Sequence, residues 1–149
     1  MTSYRPVIAD DIPAVARINV DVWRTTYRDI VPAEFLSGLD YRQAEERWER
    51  FLQRPASIAI AAELEGSVIG YLMAGRERSG NERYPGEIYA LYLRDEHQRR
   101  GIGRGLIEAT REAIGPASLL LTAAPDAVSF YEHIAMPRVT DAFRYAPRG

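Results

Sequence analysis

Residues 87–110 read EIYALYLRDEHQRRGIGRGLIEAT, and their hydrophobic period changes once, at a glycine turn. The first part alternates as a strand does, which places Glu87, Tyr89, Leu91 and Leu93 on one face. From Gly101 onward, Ile102, Leu106, Ala109 and Ala113 recur at helical spacing. A strand that feeds a glycine-rich turn into a helix start is a physical anion site. Backbone N–H groups are unpaired there, and the helix dipole favours negative charge. Gly101 and Gly103 permit close backbone approach, and Arg99, Arg100 and Arg104 add charge. Taken alone, such a turn is as compatible with a structural role as with binding. Its spacing excludes a dinucleotide fingerprint, which needs glycine where Leu106 stands.

A Walker loop is excluded for a different reason: all 19 basic residues in the 149-residue chain are arginine. The same absence of lysine removes Schiff-base chemistry. No cysteine is present, so thiolate zinc sites and a cysteine nucleophile are also excluded. The two histidines, His97 and His133, offer no metal-ligand spacing, and no metal is expected. A formal net charge of −2 argues against a nucleic-acid partner. The opening MTSYRPVIADDIP has acids and prolines where a signal peptide needs an apolar run. No segment has the roughly 20 apolar residues of a membrane span. A cytoplasmic protein with no membrane partner is the expectation.

Working outward, YRPVI reads as a short strand, and Asp10 and Asp11 offer N-caps to a helix through Ile12, Val15, Ala16, Val22 and Trp23. A second helical region follows Pro32, runs through YRQAEERWERFL and stops before Pro55. SIAIAAELEGSVIGYLMAG reads as a hairpin whose strands are apolar on both faces, as central strands covered by helices are. Gly115 and Pro116 end the helix that starts near Gly101, and SLLLTA is the next strand. A short helix over PDAVSFYEH and one or two edge strands complete the chain. The helix at 101–114 must be a crossover, so the strands flanking it are parallel. No repeat, linker or low-complexity tract divides the chain. The predicted fold is an α/β sandwich, a mixed and mostly antiparallel sheet flanked by helices.

The segment QRRGIG, Gln98 to Gly103, resembles the Q/R-x-x-G-x-G/A signature of the GCN5-related N-acetyltransferase (GNAT) family. The surrounding residues 87–110 look like that family's fourth strand and third helix. AVSFYE and the opening RPVIADDIPAVARI, followed by VWRTTYRDIVP, extend the resemblance over roughly 3–146, read as a single acetyltransferase domain. It implies a parallel crossover from the fourth strand through the third helix to the fifth strand. It also implies acetyl-CoA as co-substrate and direct transfer of the acetyl group to a primary amine of a small molecule or peptide. Leu91, Tyr92 and Leu93 would pair with the pantetheine arm through their backbones, and the parallel strand would splay away to admit it. Gln98, Arg99, Arg100, Gly101, Ile102, Gly103 and Arg104 would hold the pyrophosphate. Members of the family are often dimers, so a homodimer is compatible with the resemblance.

Acetyl transfer requires the amine to lose a proton and the departing thiolate to gain one. Deprotonating an alkyl amine with a lysine-like pKa costs roughly 4–5 kcal/mol at neutral pH. The resemblance places Tyr131 at the family's thiolate-protonating tyrosine, and a phenol is protonated at neutral pH. Tyr131 is otherwise an aromatic packed in a short helix beside Phe130. Glu87 lies eleven positions before Gln98, in the register of the base glutamate of histone-type members. It acts there as the base through water, or it is a solvated strand-end carboxylate. Trp23 and Tyr27 fall where the family's first helices line the acceptor site, with Trp23 also readable as core. His97 reads as a surface residue. The pattern departs from the family at Ala124, where an asparagine is usual, and at Ala135-Met136, where Gly-Phe is usual. These departures keep open a second reading, a non-catalytic acyl-CoA-binding sensor of the same fold.

Overall fold

The computed structural model describes residues 1–26, 28–29, 31–78, 86–114, 119–122, 138–139 and 142–145. Among these residues, strands β1 (Thr2–Pro6), β2 (Ile58–Leu64), β3 (Ser67–Arg76), β4 (Gly86–Leu93), β5 (Leu119–Thr122), β6 (Arg138–Val139) and β7 (Ala142–Tyr145) form one sheet. Their order is β1-β2-β3-β4-β5-β7-β6. Every neighbouring pair is antiparallel except β4 and β5, which are parallel. The α-helices among the described residues are α1 (Ile12–Thr26), α2 (Ala33–Ser37), α3 (Tyr41–Gln53) and α4 (Ile102–Ile114); the short helix expected over PDAVSFYEH lies outside them. The mixed, mostly antiparallel sheet with a helical crossover between parallel β4 and β5 agrees with the sequence expectation.

Local chemistry explains the boundaries. Glu65 and Gly66 have φ of 51° and 81°, two successive left-handed residues that close the β2–β3 hairpin with the twist its strands need. Asp40 caps α3 by accepting from the Arg42 N–H at 3.0 Å. Arg54 is extended ahead of Pro55, which stops the same helix. The expected capping of α1 by Asp10 and Asp11 takes a different form. A 3-10 turn over Ala9–Asp11 leads into the helix, and the Asp11 carboxylate reaches back to the Ile8 N–H at 2.9 Å. It also accepts from both terminal nitrogens of Arg5, at 2.7 and 2.9 Å. Arg5 holds the Asp11 carboxyl below the usual carboxylate range, and the Ile8 N–H adds to the effect against the cost of burial.

Helices cover both faces of the sheet. On one face, Ile102, Leu106 and Ile107 of α4 pack on Ile60, Leu72, Ala74 and Ile88. On the other, Val15, Ile18 and Val22 of α1 and Trp48 and Phe51 of α3 pack on Ala59, Ala61 and Tyr71. Trp48 meets the Tyr71 ring edge-on, with centroids 4.8 Å apart. Each fully buried aliphatic side chain stabilises the fold by about 1.5–3 kcal/mol. Gly105 fixes how α4 approaches the sheet: the space a β-carbon would take there is filled by the Tyr4 phenol of β1.

The even alternation expected along β4 is interrupted. Met73 pairs with Ala90 but Ala74 pairs with Ile88, so β4 carries one extra residue at Tyr89. This bulge leaves Ile88, Leu91 and Leu93 on the α4 face and turns Tyr89, Ala90 and Tyr92 together toward α1 and α3. Tyr89 is thus separated from Leu91 and Leu93, with which period-2 reasoning grouped it.

Candidate active site

The turn between β4 and α4 is built to hold itself before it holds anything else. After a 3-10 turn over Asp95–His97, the Gln98 N–H donates to the Asp95 carbonyl at 3.2 Å. The Gln98 side-chain amide donates to the Leu93 carbonyl and to Asp95 Oδ1, both at 3.2 Å. Gln98 therefore braces the loop against the end of β4. The backbone is then left-handed at Arg99 (φ 65°) and again at Gly101 (φ 78°). Such alternation of hand gathers successive N–H groups into an anion-binding concavity. A non-glycine residue held at positive φ is uncommon and marks a strained position. The first i→i−4 bond of α4 runs from the Gly105 N–H to the Gly101 carbonyl at 3.1 Å, so the N–H groups of the preceding turn lack intrahelical acceptors. A β-carbon on Gly101 would meet only open space. Arg99, Arg100 and Arg104 are exposed around this opening, while Ile102 and Gly103 are buried and anchor it. His97 is half-buried rather than on the surface, because the 3-10 turn folds it inward.

The second element is the edge of β4. Its ladder with β5 comprises Gly86↔Leu119, Glu87↔Leu120 and Ile88↔Leu121. Among the described residues, Leu91, Tyr92 and Leu93 pair only with β3, so their other backbone edge faces no strand. A strand edge of this kind, without a strand partner among the described residues and running up to an N–H concavity, can take an extended polar chain ending in an anion.

The third element lies around Glu87. Its side chain is 8% exposed, so it is not a solvated strand-end carboxylate. Both oxygens are occupied by one residue: the Arg78 N–H donates to Oε1 at 3.1 Å, and Nε and Nη2 of Arg78 donate to Oε2 at 3.1 and 2.6 Å. The Arg78 guanidinium also lies 3.9 Å over the Tyr89 ring. Gly75, which pairs with Glu87 across β3, leaves the room that the Tyr89 ring needs. Arg78 lies in the polar segment RERSG, where periodicity carries no signal for a partner nine residues away.

Trp23 is half-buried, and its Nε1–H donates to the Tyr92 phenol at 2.9 Å. It faces Phe35 with ring centroids 6.4 Å apart, which ties the end of α1 to β4 and α2. Asp21 accepts from the Tyr41 phenol at 2.6 Å and pairs loosely with Arg94 at 3.5 Å. These tertiary pairings join residues 20 to 73 positions apart, beyond the reach of local patterns. Tyr27, Tyr131, Ala124, Ala135 and Met136 lie outside the described residues.

The family model for the acetyltransferase (GNAT) family matches residues 21–135. The chain belongs to this family. The uncharacterised N-acetyltransferase YuaI of Bacillus subtilis (strain 168) is 41% identical over 108 residues, which is 72% of this chain. The chain spans about three fifths of the length of the curated relatives it matches, 61% in each case. Among solved structures, an acetyltransferase from Thermus thermophilus superposes with a TM-score of 0.75 at 19% identity, over 99% of this chain and 97% of that one. The PaiA N-acetyltransferase of Thermoplasma acidophilum, solved with coenzyme A, gives 0.73 at 16% identity, over 97% and 96%. These two likenesses show the GNAT fold. No helix among the described residues is long and apolar enough to cross a membrane. Among them, too, no group of three or more His, Asp or Glu side chains is placed to hold a metal ion.

Proposed function

We propose that this GNAT chain transfers the acetyl group of acetyl-CoA directly to a primary amine of a small molecule or peptide, acting in the cytoplasm as one unit over residues 3–146. The observation that carries the reading is the continuity of two features. The edge of β4 that lacks a strand partner among the described residues runs into a loop with two left-handed residues, where Gly101 borders open space beside three exposed arginines. Leu91, Tyr92 and Leu93 would take the pantetheine arm along that edge. The backbone from Arg99 to Arg104 would take the pyrophosphate, with Gln98 keeping the loop in place. The co-substrate supplies a thioester-activated acyl group. Trp23 and Tyr27 would line the acceptor side.

Glu87 is the base in this reading, accepting the ammonium proton directly or through water, and Tyr131 donates a proton to the departing thiolate. Oε1, which among the described residues accepts only the Arg78 backbone N–H, is the oxygen with acceptor capacity left for that proton. The same clasp favours a second reading, a non-catalytic acyl-CoA-binding domain, because Arg78 already fills three of the roughly four acceptor sites of the Glu87 carboxylate, one with its backbone N–H and two with its guanidinium.

Calorimetric titration with acetyl-CoA, followed by an amine screen, separates these outcomes. Micromolar binding that is lost in an Arg100→Glu, Gly101→Asp double variant, together with turnover that falls in Tyr131→Phe, supports the transferase. Binding without turnover on a broad amine panel supports the sensor. No binding by the folded parent overturns both.

A further inference from the structure

One cleft is left unused by the chemistry above. It has a volume of about 250 Å³ and lies between the C-terminal end of α3 and the ends of β3 and β4. Its lining includes Phe51, Arg54, Ala56, Ser57, Arg76 and Tyr89. Phe51 and Tyr89 meet edge-on with centroids 6.1 Å apart and present an aromatic wall. The guanidinium groups of Arg54 and Arg76 are exposed, and neither has a hydrogen-bond or ion-pair partner among the described residues. The nearby carboxylate, Glu87, is already held by Arg78. Burial raises the Tyr89 phenol above its ordinary range; the charge of Arg78 opposes the shift, that of Glu87 adds to it, and those of Arg54 and Arg76 oppose it more weakly. Ala56 is held at φ 60°, a left-handed conformation rare for alanine, in the turn that shapes the cleft wall.

An apolar wall beside two guanidinium groups that have no partner among the described residues suits one ligand chemistry. A carboxylate pairs with guanidinium in fork geometry, and its apolar stem stacks on the rings. The size agrees: a cavity of roughly 150 Å³ holds benzene, so this one has room for an aryl or short alkyl stem with its carboxylate. Tyr89 joins the cleft to β4, two positions from Glu87 and two from Leu91.

We infer that this cleft is an acceptor subsite that binds a carboxylate on an apolar stem, so that the preferred acceptors are amines carrying such a group. The acceptor part of the inference rests on the proposed transferase activity; the subsite itself does not.

The test uses 3-phenylpropionate and its neutral amide, titrated by NMR into the whole chain and into Arg54→Gln and Arg76→Gln variants. Both arginines are exposed, so thermal melts should match the parent and leave binding as the readout. The expected result is at least fivefold tighter binding of the acid than of the amide, weakened by salt and lost in either variant. Equal affinity for acid and amide, or a preference that survives in both variants, overturns the subsite. If the acid binds while acetyl-CoA does not, the transferase reading fails and the subsite stands. If acetyl-CoA is bound and amines are acetylated without any preference for carboxylate-bearing members, the acceptor assignment fails and the transferase reading stands.

Discussion

Replacing Gly101 with alanine separates what the loop costs the fold from what it does for a ligand. The φ of 78° is the first cost: an L-residue in the left-handed region is disfavoured by about 1–2 kcal/mol. Alanine also narrows the unfolded ensemble, which returns about 0.4–1 kcal/mol. No steric term is added, because the new methyl group meets no atom within 4 Å. The net loss is therefore at most about 1.6 kcal/mol, a fall in Tm of no more than a few degrees for a chain of this size. Binding should suffer more. In the proposed site the methyl group would stand in the open space beside the loop, and losing one hydrogen bond to a charged partner weakens binding by about 1.5–3 kcal/mol. That corresponds to a Kd for coenzyme A raised about 10- to 150-fold. Differential scanning calorimetry and isothermal titration of the same preparation read the two quantities. An unchanged Kd beside the expected Tm shift would refute the assignment of the loop. A loss above about 3 kcal/mol would instead show that Gly101 is packed against something the geometry does not contain.

Four further outcomes follow from the packing and the ion pairs. Leu106→Ala, at a fully buried position between α4 and the sheet, should lower stability by about 2–5 kcal/mol in urea unfolding. Asp11→Asn should cost about 1–2 kcal/mol at neutral pH, a figure kept modest because the Arg5 side chain is one-third exposed. Because the folded-state carboxyl is depressed, that stability is present above the unfolded value near pH 4 and is lost as pH falls through the lower folded value, so parent and variant curves should converge in acid. Arg78→Met should leave the Glu87 carboxylate buried without its charged donors and cost about 1–3 kcal/mol, while releasing the lone pairs a base needs; kcat that falls in step with Tm, with no change in its pH profile, would tell against Glu87 as base. Gly75→Ala should displace the Tyr89 ring, weaken the Arg78 stack and loosen the same carboxylate, which the exchange rate of the Arg78 Nε–H reports.

The crossover was legible because each of its signals is local. The strand period, the glycine turn and the helix period follow one another within residues 87–110, and the parallel pairing follows from connection length alone. What escaped depends on partners distant in the chain. The extra residue at Tyr89 leaves the composition of β4 unchanged, and only its register against β3 exposes it. Arg78 is one of nineteen arginines, and nothing in its neighbourhood distinguishes the one that closes on Glu87. Gln98 matched a ligand signature, yet its side chain is engaged with Leu93 and Asp95, a difference between binding a ligand and shaping the loop that spacing does not encode.

The contact between Tyr4 and Gly105 reaches further than packing. The two residues share one volume, so neither position is free to change alone: a side chain at 105 demands a smaller one at 4. Related sequences should therefore covary at this pair, with glycine at 105 wherever an aromatic stands at 4. A substitution in the first strand, far from any chemistry, would then retune nucleotide affinity by shifting the first turn of α4.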